Sequence, residues 1–186
     1  MEVKQLNSFY FIHKVETHKD IKEDLLGLIA NQQDDPISFN ETTHISRTDY
    51  HLDETHKRAY LPKFFEAIDS ILREQAEYML ANQMTVHHSW YQQYHNFDKH
   101  DWHTHGYAQF ANIYYLELPN NEDKTDFFSI LDKKIITDID IKEGDLITFP
   151  AYILHRSNTN SMKRKTIISF NSSFDSIIEK KVDELL

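Results

Sequence analysis

The sequence predicts an α+β domain in which helical segments come first and a β-sandwich or barrel follows, with the helices packed upon it. Three observations lead there. Apolar residues recur at spacings of three and four in two stretches of the first 84 residues. From residue 86 onward, short segments rich in aromatic and branched side chains alternate with Asn, Asp, Gly and Pro turns. Finally, 186 residues suit one domain with a full core and are short for two. The expectation is a single domain over 1–186, helical to about residue 84 and a β core over about 85–175.

Each element can be justified in order. Residues 8–15 read as an opening strand, and Lys19 to about Asn31 carries Ile21, Leu25, Leu26 and Ile29 at helical spacing. Gln32 to Tyr50 is polar and lacks a sustained period, so it is expected to be a long loop that a bound substrate could order. From Pro62 to Met84 the series Phe64, Phe65, Ile68, Ile71, Leu72, Ala76, Met79 and Leu80 predicts a helix, with Pro62 suited to its first turn. That stripe is core packing against a sheet. Strands are expected at about 86–95, 108–118, 126–131, 145–150, 152–155 and 165–174.

Composition narrows the function. With 30 acidic against 20 basic side chains the formal charge is −10, which opposes binding to a phosphate backbone. The absence of cysteine excludes disulfides, thiolate metal ligands and a cysteine nucleophile. The first residues lack the apolar core of a signal peptide, and no apolar run approaches the ~20 residues of a membrane span, so a cytoplasmic protein without a membrane partner is expected.

The chemistry centres on histidine. His103 and His105 stand one residue apart, so a strand would turn both to one face and Thr104 to the other. His155 could complete a facial set from a neighbouring strand, leaving other positions of a six-coordinate metal open. Twelve histidines make a chance H-x-H pair plausible, but this pair lies just before the apolar run Phe110 to Leu118, at the mouth of a sheet.

The blocks His103-Thr104-His105-Gly106, Ile113-Tyr114-Tyr115-Leu116, Glu143 through His155, and Arg164 through Asn171 together resemble the iron(II)- and 2-oxoglutarate-dependent oxygenases. The likeness is to short prolyl-hydroxylase-like and phage-type members and covers roughly residues 90–174. It implies a double-stranded β-helix (a jelly-roll β-sandwich), Fe(II), 2-oxoglutarate as co-substrate and dioxygen. It further implies hydroxylation of a small-molecule or side-chain substrate with release of succinate and CO2. His103 and His155 match the first and distal metal ligands. His105 stands where most members have a carboxylate, which leaves one more positive charge on the site. Asp101 is expected to orient a ligand.

The same resemblance asks for a cation on the strand after His155 to grip the far carboxylate. Arg164, with Thr166, fits the family's pattern and offers a planar two-point fork. Lys165 is one residue out of phase and would share its face with Ser169 and Asn171. Only one of the two can point inward; Arg164 is preferred. Tyr115 is implied as a phenol donor to the same carboxylate, and Tyr91, Gln93, Asn112 and Arg156 are weaker candidates for the pocket wall. Two alternatives stay open: a cupin-like three-histidine dioxygenase, and a non-catalytic metal-binding or sensory domain.

Overall fold

Two antiparallel sheets face one another, and two helices cover the outside of the larger one. The structure, a computed structural model, describes residues 2, 8–34, 43–53, 55–136 and 138–185. In chain order the elements are β1 (Phe11–Lys14), α1 (His18–Ala30), β2 (Arg47–Thr48), α2 (Leu61–Tyr78), β3 (Ala81–Tyr94), β4 (His100–His103) and β5 (Phe110–Glu117). They continue with β6 (Thr125–Ser129), β7 (Lys134–Ile136), β8 (Asp145–Pro150), β9 (Leu154–Ser157), β10 (Lys165–Ile177) and α3 (Glu179–Asp183). The larger sheet runs β1-β8-β5-β10-β3-β2 and the smaller β4-β9-β6-β7. This is the α+β jelly roll that the element order and the resemblance led one to expect.

The larger sheet is buried on both faces, which explains why its strands read as nearly continuous apolar runs. Outward, Tyr91, Tyr114, Leu146, Ile168 and Phe170 meet Leu25 and Ile29 of α1 and Phe64, Ile68 and Ile71 of α2. Inward, Tyr94, Ile113, Tyr115, Ile147, Phe149 and Ile167 meet Phe127 of the smaller sheet. Each buried large apolar side chain contributes about 1.5–3 kcal/mol, so both layers are needed to hold the central strands.

Some boundaries differ from expectation, for tertiary reasons. The periodic pattern runs to Met84, yet α2 stops at Tyr78 and Leu80 takes a positive φ of 54°. Residues 81–84 pair instead with β10, Ala81 opposite Ile177 and Met84 opposite Phe174, so ladder hydrogen bonds outcompete another helical turn. Strand β7 and helix α3, both short and at most half-buried, were not anticipated, and β4, the strand expected to carry both His103 and His105, ends at His103. The turn before β8 needs its glycine: Gly144 has φ +90°, and a Cβ there would lie 2.9 Å from the His18 ring.

The expected long loop is partly regular. Residues 35–42 lie outside the described ones, but Arg47 and Thr48 pair with Gln93 and Gln92 of β3. Asp49 locks the segment in place. Its buried carboxylate accepts from the Tyr91 backbone N–H at 2.9 Å, the Tyr60 hydroxyl at 2.9 Å and Arg58 Nε at 3.1 Å. Burial still holds its pKa above the ordinary value. Replacing Asp49 by Ala removes the acceptor of Arg58 Nε, the Tyr60 hydroxyl and the Tyr91 N–H and leaves the buried guanidinium without its carboxylate, and is expected to destabilise the fold by about 3–5 kcal/mol, measured by urea unfolding.

Candidate metal centre and anion pocket

A cavity of about 500 Å³ opens between the sheets, with His103, His105 and His155 on its wall. The first and third come from adjacent strands: β4 and β9 run antiparallel with His103 directly opposite His155. His105 lies just past β4, where its backbone N–H bonds to Ala151 O at 2.9 Å and its ring stacks on Trp90 of the larger sheet, centroids 6.0 Å apart. One nitrogen from each of the three rings falls within 4.8 Å of the others. This is the only such group of potential ligands among the described residues.

The ring orientations follow from local hydrogen bonds. His103 Nδ1 donates to Asp101 O at 2.7 Å, and His155 Nδ1 donates to Ile153 O at 2.9 Å. In both, the carbonyl belongs to the residue two before the histidine. Because Nδ1 carries the proton, Nε2 keeps its lone pair for the cavity. Asp101 thus orients His103, through its backbone oxygen; its carboxylate instead caps the Trp102 N–H at 2.9 Å.

Electrostatics keep the cluster neutral. Burial first, and then the neighbouring His103, His105 and His100 rings, push the His155 pKa down to about 2. Burial and then His103 bring His105 to about 4, and burial lowers His103 as well. Neutral imidazoles are the ligand form. Nε2 of His105 and Nε2 of His155 lie 3.4 Å apart, an arrangement that a shared cation or proton relieves and that two bare lone pairs do not. The donor set therefore fits a metal ion of borderline character such as iron(II). His100, stacked on His103 with centroids 3.9 Å apart, adds a fourth ring to the wall.

The cationic strand corrects the preferred register. Arg164 faces outward and grips Glu117 with both arms of its fork, Nε and a terminal nitrogen each 2.8 Å from a carboxylate oxygen. Thr166 shares that outer face and bonds to Glu117 and Gln93. Lys165 is the inward residue, together with Ile167, Ser169 and Asn171. The physical reason is parity: β10 alternates, and its helix-facing set is Thr166, Ile168 and Phe170, which the helices' apolar faces select.

Lys165 is 1% exposed. Its ammonium donates to Ser157 Oγ and to Asp123 O, and lies 4.2 Å from the Tyr94 ring centroid. Burial lowers its pKa to about 7. Ser157 and Tyr94 both line the cavity, so the cation is one side chain removed from it.

Tyr115 also points between the sheets, but its phenol is already taken: it donates to Thr125 Oγ1 at 2.7 Å and accepts from Thr125 N–H at 3.1 Å. Thr125, not Tyr115, reaches the cavity. The aromatic ring beside Lys165 is Tyr94, which sequence reasoning missed; its parity with Lys165 across β3 and β10 was the available signal. Asn112 and Arg156 lie along the cavity as suggested, Arg156 paired with Asp126 at 3.0 Å. Tyr91 and Gln93 do not; Tyr91 faces the helices and bonds to Asp34. Tyr50, His51 and Trp90 complete the mouth.

No family model matches the sequence, and no curated protein matches it significantly. Solved structures do match in shape. An oxidoreductase of the 2OG-Fe(II) oxygenase family from Burkholderia pseudomallei aligns with TM-score 0.68 and 9% identity, over 88% of this chain and 84% of that one. A prolyl-4-hydroxylase from Pseudomonas putida aligns with TM-score 0.63 and 10% identity, over 88% and 92%. The viral collagen prolyl hydroxylase of Paramecium Bursaria Chlorella virus-1, in its 2OG complex, gives TM-score 0.56 and 14% identity, over 88% and 94%. The chain thus has the fold of the Fe(II)/2-oxoglutarate oxygenases. Among its described residues no helix is long and apolar enough to cross a membrane.

The lysine's burial has a measurable consequence. Below pH ~7 the folded protein carries a poorly solvated charge; between about 7 and the ordinary lysine value of 10.5 the unfolded chain holds a proton that the folded one has released. Stability from this group therefore rises with pH. Lys165→Met is expected to stabilise the ligand-free protein at pH 6, with the gain shrinking toward pH 9 in paired denaturation curves.

Proposed function

We propose that this protein is an Fe(II)- and 2-oxoglutarate-dependent oxygenase that hydroxylates a small molecule or a side chain. The observation that carries the reading is Lys165, a buried ammonium whose two hydrogen-bond partners are neutral oxygens, set in the same sandwich as the three converging imidazoles. A charge so placed is costly, the Asp123 and Asp126 carboxylates offset that cost only in part, and a dicarboxylate whose other end reaches the histidines would supply a closer counter-ion. The resemblance in the sequence and the oxygenase-like fold support the same conclusion.

His103, His105 and His155 would hold the iron, which when bound supplies the capacity to activate dioxygen against a C–H bond. The chain's own contributions are positional. Lys165, with Ser157 beside it, would take the distal carboxylate of 2-oxoglutarate, while Tyr94 and Ile167 flank its methylenes. Arg164 belongs to the outer surface in this reading, and its fork serves Glu117. Trp90 and Tyr50, in edge-to-face contact with centroids 4.9 Å apart, form an apolar wall that shelters the metal side from water. The substrate would enter past Tyr50, His51 and Tyr107. The neighbours from Pseudomonas putida and the Chlorella virus are prolyl hydroxylases by name, which makes peptidyl proline one substrate to try.

The test begins anaerobically: iron(II) loading followed by 2-oxoglutarate is expected to give a visible charge-transfer band, and air then to give succinate. A bound metal without the band favours the cupin-like or non-catalytic alternatives; a band without succinate favours a sensor. Lys165→Ala is expected to weaken 2-oxoglutarate binding on the order of a hundredfold, as loss of one partner of a buried charge pair does. Arg164→Ala should change it by less than about threefold, as for an exposed ion pair. Equal effects from the two would contradict the assignment. In calorimetry, His155→Ala is expected to abolish Co(II) binding, and with it the stabilisation of about 2.7 kcal/mol that a ligand at a hundred times its Kd confers.

A further inference from the structure

Two of the three imidazoles have their protons placed by the backbone, and the third does not. His103 and His155 each give Nδ1–H to the carbonyl two residues earlier in their own chain segment. His105 makes no such bond to the His103 carbonyl; the hydrogen bonds it does make are from its backbone N–H to Ala151 O and between its Nε2 and that of His155. His105 therefore has two available tautomers. With the proton on Nε2 it would donate to His155 Nε2, 3.4 Å away, and close the cluster on itself. With the proton on Nδ1, both Nε2 lone pairs face the common point where the three nitrogens converge.

The neighbour able to decide between these is Asn171. It lies on the inward face of β10, opposite His88 of β3 and beside a register shift that separates it from Ser172. Its Oδ1 is buried with no hydrogen-bond partner, an uncommon state for an amide oxygen. Asn171 and the His105 ring line the same cavity, and the Asn171 side chain favours protonation of that ring against the burial that opposes it. An amide oxygen can only accept, so His105 satisfies it only by turning Nδ1–H toward it.

We infer that Asn171 is a positioning residue that fixes the Nδ1–H tautomer of His105 and so leaves its Nε2 free for the metal. The inference rests on the metal-binding reading above and deepens it: the third ligand is set from the opposite sheet, by a side chain, where the other two are set from their own chain segments. A metal site assembled this way exists only when the two sheets are docked.

The tautomer can be read without any metal or turnover. In metal-free protein labelled with 15N-histidine, long-range 1H–15N correlation, with His105 assigned by its loss in His105→Ala, is expected to show Nδ1–H at pH 8. Asn171→Ala is expected to shift His105 toward the Nε2–H form and to weaken Co(II) binding by roughly tenfold, the scale of second-layer contacts to metal ligands. Asn171→Asp, which keeps an acceptor in place and guards against loss of folding in the alanine variant, should restore the Nδ1–H form. An Nε2–H form in the native protein, or a tautomer and Co(II) Kd unmoved by Asn171→Ala, overturns the inference. A tautomer that follows Asn171 in a protein that binds no Co(II) sustains it while removing the metal-binding reading.

Discussion

The alternation of β10 is the constraint on which the rest depends. This strand sits between β5 and β3, deep in the larger sheet, and cannot slip by one residue without exchanging its two faces. Ile168 and Phe170 are claimed by the helices α1 and α2, so Ile167, Ser169 and Asn171 must face the smaller sheet. Lys165 follows the same parity and is carried inside. The inward placement of Lys165 is thus a by-product of how the outer hydrophobic layer packs.

Desolvation then gives these side chains their chemical character. Burial keeps the histidines neutral at ordinary pH, where exposed imidazoles would be partly protonated, and it pulls the lysine pKa down to about 7 although the Asp123 and Asp126 carboxylates favour its charge. The two tendencies complement each other within one sandwich. The histidines on the cavity wall offer lone pairs to a cation, and Lys165 lies one side chain behind that wall, next to Ser157 and Tyr94. A metal chelated by a dicarboxylate would satisfy both groups at once, which is why the two halves of the site are best understood together.

The rim of the cavity is held by a different device. Asp49 ties the segment bearing Thr48, Tyr50 and His51 to β3 and to the start of α2 through a buried carboxylate with several donors. Where that carboxylate is satisfied, the aromatic rings of Tyr50 and Trp90 meet over the metal side of the cavity. The rim residues Thr48, Tyr50 and His51 therefore rest on a polar anchor, whereas the histidine-bearing strands rest on ladder pairing.

Much of this was legible in the one-dimensional chain. The period of Phe64, Ile68 and Ile71 marked α2, the apolar runs marked β5 and β8, and the spacing of His103, His105 and His155 marked the cluster, because these signals are local or repeat at fixed intervals. Three things were decided only in three dimensions. Helix α2 ends before its pattern does, since residues 81–84 gain more from pairing with β10. Arg164 and Lys165 are adjacent and alike in charge, so only the packing of Ile168 and Phe170 under the helices could say which one faces in. Tyr115 looked like a ligand-binding phenol, yet its hydroxyl meets Thr125, because contacts ten residues apart across a sandwich are set by where its sheets lie and leave no period in the sequence.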